Sequence, residues 1–341
     1  MTNEQKEYLR SNICIDTLDD LCTSISKIGP YVFGVPVDTP VSANRFRYYL
    51  GVDTRRGSYR QFHIPKKSGG TRTINAPDGE LKDILRTLSF ILAELYVPTP
   101  EAMAFINGRS IVDNARQHLG QNYVLNMDLS DFFTSINAGM VERGLVGIGV
   151  SPLVARDIST ICTYPLYEGR RIHNVLPQGA PTSPILSNIC SKVLDTRLSG
   201  LARRFHLTYT RYADDITFSS NHNVYQPNGE FFKELYRIIE DCHFKVNPNK
   251  TRLQKRGARQ EVTGLIVAKK PNVNRKYIKN LRAMINKIHF NENPAMHDIN
   301  VARGKLNFMR MVKGDSDSTY RKLLIKFNIA IRGKSLGVSH E

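Results

Sequence analysis

Three aspartates, Asp128 and the adjacent pair Asp214 and Asp215, carry the clearest chemical signal in the sequence. Asp128 lies near the end of YVLNMDLSD (123–131), a short apolar run that turns acidic as a strand does on reaching a solvent-facing site. Asp214 and Asp215 interrupt LTYTRYADDITFSS (207–220), which reads as a β-hairpin with acidic residues at its tip. Carboxylates that converge repel one another, and hard divalent cations, which take oxygen ligands, relieve that repulsion. Magnesium keeps waters and substrate phosphates in its shell, so two or three carboxylates suffice to hold it. A pair of such ions can activate a hydroxyl, neutralise a triphosphate and stabilise the departing pyrophosphate. An Asp-Asp pair alone is ordinary turn chemistry. The flanking β-rich runs, Tyr212 and a second strand carrying Asp128 make it a candidate site.

Around these strands the sequence supplies alternating elements. Tyr59 to Ile64 and Thr71 to Asn75 read as two strands joined by a Lys- and Gly-rich turn, a basic hairpin carrying Lys66, Lys67 and Arg72. Leu81, Ile84, Leu85, Leu88, Leu92 and Leu95 recur at helical spacing until Pro98 and Pro100 stop the run. One long helix is expected from Ser183-Pro184, with Ser183 as cap, carrying Leu186, Ile189, Val193, Leu194, Leu198 and Leu201 inward. A helix over 231–242, a strand near 244–246 and a strand pair around 252–268 follow. Strand, helix, hairpin, helix, strand is the order of a ferredoxin-like split βαβ sheet. The fold class is therefore α+β. Residues 1–58 read as an N-terminal extension with recurring arginines, and from Asn274 onward the chain is basic, mostly helical and expected to form a separate subdomain.

Composition narrows the partner. The chain has 341 residues, and 48 Lys and Arg against 31 Asp and Glu leave a formal charge of +17, which favours an extended polyanion. The helical stretch over 81–97 contains Lys82, Asp83, Arg86 and Glu94, too polar for a bilayer span, and the first residues do not read as a basic n-region followed by an apolar h-region. The cysteines, Cys14, Cys22, Cys162, Cys190 and Cys242, are scattered and never form a CxxC pair. A reduced, cytoplasmic protein without membrane association or structural zinc is the expectation.

The motifs also resemble a known family. NMDLSDFF (126–133), LPQG (176–179) and YADD (212–215) resemble, in order and spacing, the first three palm motifs of reverse transcriptases. NPNKT (247–251) with Lys250 is similar to the next motif, and VTGL (262–265) to the primer-grip hairpin after it. NARQH (114–118) and VTG (262–264) further resemble the elements of bacterial retron enzymes. The resemblance spans roughly residues 60 to 330. It implies a right-hand polymerase with fingers (59–122), a ferredoxin-like palm with inserted fingers segments and the primer-grip hairpin (123–268), and a basic helical thumb (269–341).

It further implies that Asp128, Asp214 and Asp215 hold two Mg²⁺ ions, and that Lys250 assists the leaving pyrophosphate. Lys66, Arg72, Asp131, Phe132, Phe133, Gln178 and Gly179 form the expected set for the deoxynucleoside triphosphate. In that set Arg72 grips phosphate oxygens and Phe133 blocks a ribose 2′-hydroxyl, with core packing as the alternative for both phenylalanines. The missing side chain of Gly179 is expected to let the backbone approach the base. Asn114, His118, Tyr212, Val262, Thr263, Gly264, Arg275, Lys276, Lys279 and Arg282 are the expected contacts to RNA or primer, His118 having a structural role as its alternative. The implied partners are a structured noncoding RNA serving as template and primer, its DNA product, and an effector or toxin protein, with a role in phage defence. Two rivals stand beside this reading. One is another defence-associated reverse transcriptase with different priming, and the other is a non-catalytic RNA-binding scaffold.

Overall fold

The computed structural model describes residues 3–34, 40–66 and 69–332, so Lys67 lies outside the described residues. Helices α1 (Asn3–Ser11), α2 (Leu18–Phe33), α3 (Ala43–Tyr48) and α4 (Val52–Gly57) lead into the hairpin β1 (Tyr59–Pro65) and β2 (Thr71–Pro77). Helices α5 (Gly79–Leu95) and α6 (Ile111–Gln117) precede β3 (Tyr123–Ser130). Next come α7 (Phe132–Ser135), α8 (Ala138–Val146), α9 (Pro152–Cys162) and the hairpin β4 (Tyr164–Glu168) and β5 (Arg171–Val175). Helices α10 (Ser183–Cys190) and α11 (Lys192–Arg204) lead to β6 (Thr208–Tyr212), β7 (Asp215–Ser220), α12 (Glu230–Asp241) and β8 (Lys245–Lys255). The short strands β9 (Glu261–Val262), β10 (Leu265–Val267) and β11 (Pro271–Asn272) precede α13 (Arg275–Phe290), α14 (Met296–Lys313) and α15 (Ser318–Ile331).

The central sheet has the order β6-β7-β3-β8 and is antiparallel at every junction, the ferredoxin-like arrangement. Its core is built from helical stripes whose spacing leaves them no other way to leave water: Leu81, Ile84, Leu85, Leu88, Ile91 and Leu92 of α5, and Phe231, Leu235, Ile238 and Ile239 of α12. The N-terminal helices share this core through Leu21, Ile25 and Ile28. Arg55 is buried, and its guanidinium donates to Leu50 O at 3.0 Å and Asn174 Oδ1 at 3.0 Å, so one of the recurring N-terminal arginines ties α4 to β5.

Several elements differ from the sequence expectation. The long helix after Pro184 is two helices broken at Ser191, and Val193, expected inward, is 63% exposed because the break resets the helical phase. Thr182 occupies the N-cap, while the Ser183 hydroxyl donates to Pro177 O at 2.7 Å. The two strands expected near 244–246 and 252 are one strand, β8, whose register against β3 shifts between Asn126 and Asp128. The C-terminal helices share their core with earlier elements. Leu281, Ile285, Leu306, Leu323 and Phe327 pack into a second core that includes Val112, Ala115, Val124, Val262 and Leu265. The β9–β11 sheet crosses the expected boundary at 268.

Burial also corrects part of the expected RNA-contact set. His118 is fully enclosed, with Nε2 2.7 Å from Thr210 Oγ1 and Nδ1 2.7 Å from Ser219 Oγ. The single Thr210 hydroxyl proton goes to Asn114 Oδ1 at 2.6 Å, so Nε2–H donates to Thr210 and Nδ1 accepts from Ser219. Asn114 is 1% exposed and Val262 fully buried. None of the three presents its side chain to a nucleic acid. They join α6 to the sheet and to the β9–β10 turn, where Asn114 Nδ2 meets Thr263 Oγ1 at 3.5 Å and the Thr263 hydroxyl donates to Ile111 O at 3.3 Å. Thr263 and Gly264 both have positive φ, 46° and 78°, as a two-residue I′ hairpin loop requires. Among the described residues, no helix is long and apolar enough to cross a membrane. All five cysteines are free.

Burial pushes the His118 imidazole down to about 3. The unfolded chain, titrating near 6.5, therefore binds a proton that the folded chain refuses, and stability is lost as pH falls from about 6.5 towards 3, by up to about 1.4 kcal/mol per pH unit. In urea titrations across this range, His118→Gln should remove that slope while lowering stability at pH 7 by about 1–3 kcal/mol.

Candidate active site

Cross-strand register brings the three aspartates together. Asp128 on β3 stands directly opposite Asp215 on β7, and the β6–β7 connection consists of Ala213 and Asp214 alone. Ala213 takes a φ of +58°, the position at which a two-residue hairpin loop normally has glycine. The amide of Leu129 donates to Asp214 O at 3.0 Å, pinning the tip of the turn to β3. The β8 strand completes the group. Lys250 Nζ lies 2.7 Å from Asp128 Oδ1, and Asn247 Nδ2 lies 3.4 Å from Asp128 Oδ2.

The electrostatics are those of crowded anions. Burial raises the Asp214 carboxyl and the charge of Asp128 adds to it, against the cations Lys250 and Arg72. Asp215 is pushed up to about 6 by loss of solvent, then by Asp214 and Asp128, with Lys250 and Arg252 opposing. Among the described residues, no three acidic, imidazole or thiol side chains converge tightly enough to hold one metal ion, and Asp128 is turned onto Lys250. The donor set nevertheless fits a hard divalent cation. It is all oxygen, and its like-charge repulsion is what such an ion relieves.

The surrounding residues divide into those open to the cleft and those closed off. Lys66 and Arg72 are exposed on the β1–β2 hairpin, Arg72 close enough to lower the Asp214 carboxyl. The LPQG loop is docked on β2, with Asn75 N–H donating to Gln178 O at 2.7 Å. Gly179 has a φ of +122°, and a Cβ there would stand 2.8 Å from both Asn75 O and Ile74 Cγ2. The approach of β2 is thus by itself a reason for glycine at this position. Phe132 is 3% exposed and stacks on Phe244 with ring centroids 5.5 Å apart, so it is a core residue and not a nucleotide contact. Phe133 is half-buried, between Phe132 and Phe105. Asp131 is exposed and lines a polar cleft of about 620 Å³ with Thr134, His173 and Lys245, a cleft that none of the three aspartates lines. Tyr212 is half-buried opposite Asp215, and Gly264 is exposed. Arg275, Lys276, Lys279 and Arg282 are exposed along α13, with no carboxylate partner among the described residues.

A profile of the reverse transcriptase (RNA-dependent DNA polymerase) family matches residues 64–290. The Retron Ec86 reverse transcriptase of Escherichia coli is 35% identical over 270 residues, covering 78% of this chain and 79% of that protein. The chain belongs to the retron reverse transcriptases. Two Myxococcus xanthus members, the Retron Mx65 and Retron Mx162 reverse transcriptases, are 37% and 36% identical over 74% and 70% of this chain. The chain spans 61% and 54% of their lengths. The family's right-hand polymerase fold accounts for the ferredoxin-like sheet, the hairpin and the C-terminal helices. Two residues beside the site escaped the sequence reading, the fully buried pair Arg211 and Asp195 beneath the hairpin, while Asn247 of the NPNKT motif, given no role there, reaches Asp128. The one sequence signal for that pair is a charge placed on an otherwise apolar stripe in each element.

A raised carboxyl holds its proton more tightly in the folded chain than in the unfolded one, where Asp titrates near 3.9. Stability from Asp215 is therefore fully present below about 4 and lost as pH rises through about 6. In metal-free buffer, Asp215→Asn should melt above the parent at pH 7.5. The advantage should shrink to nothing as the pH is lowered to 4, and an advantage independent of pH would refute the electrostatic account.

Proposed function

We propose that this protein is an RNA-directed DNA polymerase that copies part of a bound, structured noncoding RNA into DNA and leaves the DNA joined to that RNA. The observation that carries the reading is the register of β3 against β7, which sets Asp128 opposite Asp215 with Asp214 on the adjoining turn. Membership in the retron family supports the choice of RNA as template and of deoxynucleoside triphosphates as substrates. In this reading Asp128, Asp214 and Asp215 hold two Mg²⁺ ions, which when bound activate the attacking hydroxyl and neutralise the triphosphate.

The chain's own residues do the rest. Arg72 offers a planar fork to the triphosphate oxygens and Lys66 a point charge. Lys250 keeps a proton at Nζ beside the carboxylates and is placed to give it to the departing pyrophosphate. Phe133 closes the space a 2′-hydroxyl would need, while Gln178 lines the nucleotide pocket from a loop held rigid by β2. Arg275, Lys276, Lys279 and Arg282 follow the phosphate backbone of the template-primer duplex, and Tyr212, Thr263 and Gly264 flank the primer end. In this reading the fingers span 59–122, the palm 123–268 and the thumb 269–341, with the β9–β11 sheet running across the boundary between palm and thumb and the thumb sharing its core with α6. The family resemblance extends the proposal to a cytoplasmic enzyme acting in phage defence with an effector or toxin protein.

Asp214 and Asp215 replaced together by Ala should leave a folded protein that makes no DNA on a primed RNA with Mg²⁺, and DNA synthesis by that variant would end the polymerase reading in favour of a scaffold. Phe133→Val should incorporate ribonucleotides at least about tenfold better relative to deoxynucleotides than the parent, since a steric barrier has gone while the carboxylates remain. Discrimination equal to the parent's would return Phe133 to the core. The RNA that copurifies with the protein should carry DNA that a debranching enzyme releases, after RNase treatment, as one species of discrete length. DNA free before debranching, or bound to protein, would favour a different mode of priming.

A further inference from the structure

Beneath the aspartate turn lies a charge pair that the polymerase reading does not use. Arg211 and Asp195 are both completely buried. The guanidinium reaches both carboxylate oxygens of Asp195, Nε to Oδ1 and Nη2 to Oδ2, each at 2.7 Å. Nη2 also reaches Asn188 Oδ1 at 3.2 Å, and Nη1 donates to Ala213 O at 3.1 Å. One side chain therefore ties α10, α11 and the backbone of the hairpin turn together. Asp195 is itself fixed, accepting from the Tyr209 hydroxyl at 2.8 Å and from Thr99 Oγ1 at 3.2 Å. Asn188 is anchored through Nδ2 to Ala104 O at 2.8 Å.

The bond to Ala213 is the informative one. Ala213 holds a left-handed φ of +58° that a residue with a Cβ adopts only when its surroundings enforce it. Two bonds from outside the turn supply that enforcement, Arg211 to Ala213 O on one side and Leu129 N–H to Asp214 O on the other. A buried ion pair is on its own no more stabilising than apolar groups of the same volume. What an apolar side chain cannot supply is a rigid fork that fills the Asp195 carboxylate and still has a donor for the turn. We infer that Arg211, braced by Asp195, is a positioning residue that holds the Ala213–Asp214 turn in the strained shape that presents Asp214 and Asp215 together. It touches no substrate and acts through the turn.

The inference rests on the polymerase reading for its effect on rate, so its test has one arm that needs no activity. Arg211→Lys keeps the countercharge for Asp195 but cannot span Asp195, Asn188 and Ala213 O together. Tyr209→Phe serves as control, since it removes a bond to the same carboxylate and leaves the bond to the turn in place. In metal-free protein, hydrogen exchange at the Leu129 amide and across the β6–β7 turn should quicken in Arg211→Lys and stay at the parent rate in Tyr209→Phe. On primed RNA, Arg211→Lys should lose roughly tenfold or more in kcat, with KM for the nucleotide little changed and a higher Mg²⁺ concentration needed for half-maximal rate. Tyr209→Phe should lose stability without that pattern. If Arg211→Lys does not fold, Asp195→Asn, which loosens the brace while leaving the arginine, should give the same exchange and rate changes. Unchanged exchange at the turn in the folded variant, or a loss of kcat in Tyr209→Phe matching its loss of stability, overturns the inference. A parent that makes no DNA while the exchange difference stands would instead overturn the polymerase reading and leave the clamp.

Discussion

Like charge held together at the end of β3 and on the β6–β7 turn is the constraint to which the rest of the fold answers. Asp128, Asp214 and Asp215 would separate if the backbone let them; the Asp215 carboxyl is raised first by loss of solvent and then by its two acidic neighbours. Paired strands prevent it. Each β3–β7 hydrogen bond fixes register, and a slip of one residue would turn Asp128 to the other face of the sheet. Apolar helices packed on the sheet make such a slip costly, because it would drag Leu125, Met127 and Phe218 out of the core.

The chain sets cations beside that anionic centre and others on its C-terminal helices. Lys250 touches Asp128, Arg72 and Arg252 oppose the upward shift of Asp214 and Asp215, and Arg275, Lys276, Lys279 and Arg282 are exposed along α13 with no carboxylate partner among the described residues. Exposed positive charge of this kind attracts a polyanion at long range, while directed groups act only at short range. Arg211 belongs to neither class. Its charge is spent inside the protein on Asp195, and what reaches the site is geometry.

The retron-like elements have a mechanical meaning as well. Asn114, His118 and the Val262–Gly264 turn form a joint in which buried hydroxyls, an amide and a neutral imidazole satisfy one another between the central sheet and the second core. A network of this kind tolerates little displacement, since each lost partner leaves a buried polar atom unsatisfied. The C-terminal helices are thereby coupled to the strands that carry the aspartates, which a freely hinged subdomain would not be.

Much of this was legible in the residues alone. The strands around Asp128 and Asp214, the helix over 81–95, the basic hairpin and the order of elements along the chain follow from local periodicity and turn chemistry, which act over a few residues and leave their mark in the sequence. What could not be read there depends on atoms far apart in the chain. The core position of Phe132 against Phe244 and the pressing of Asn75 onto Gly179 are decided by packing between elements. His118 looked the same in sequence whether it faced RNA or two hydroxyls some hundred residues away, because an imidazole suits both; only the folded chain, by closing Thr210 and Ser219 over it, decided which.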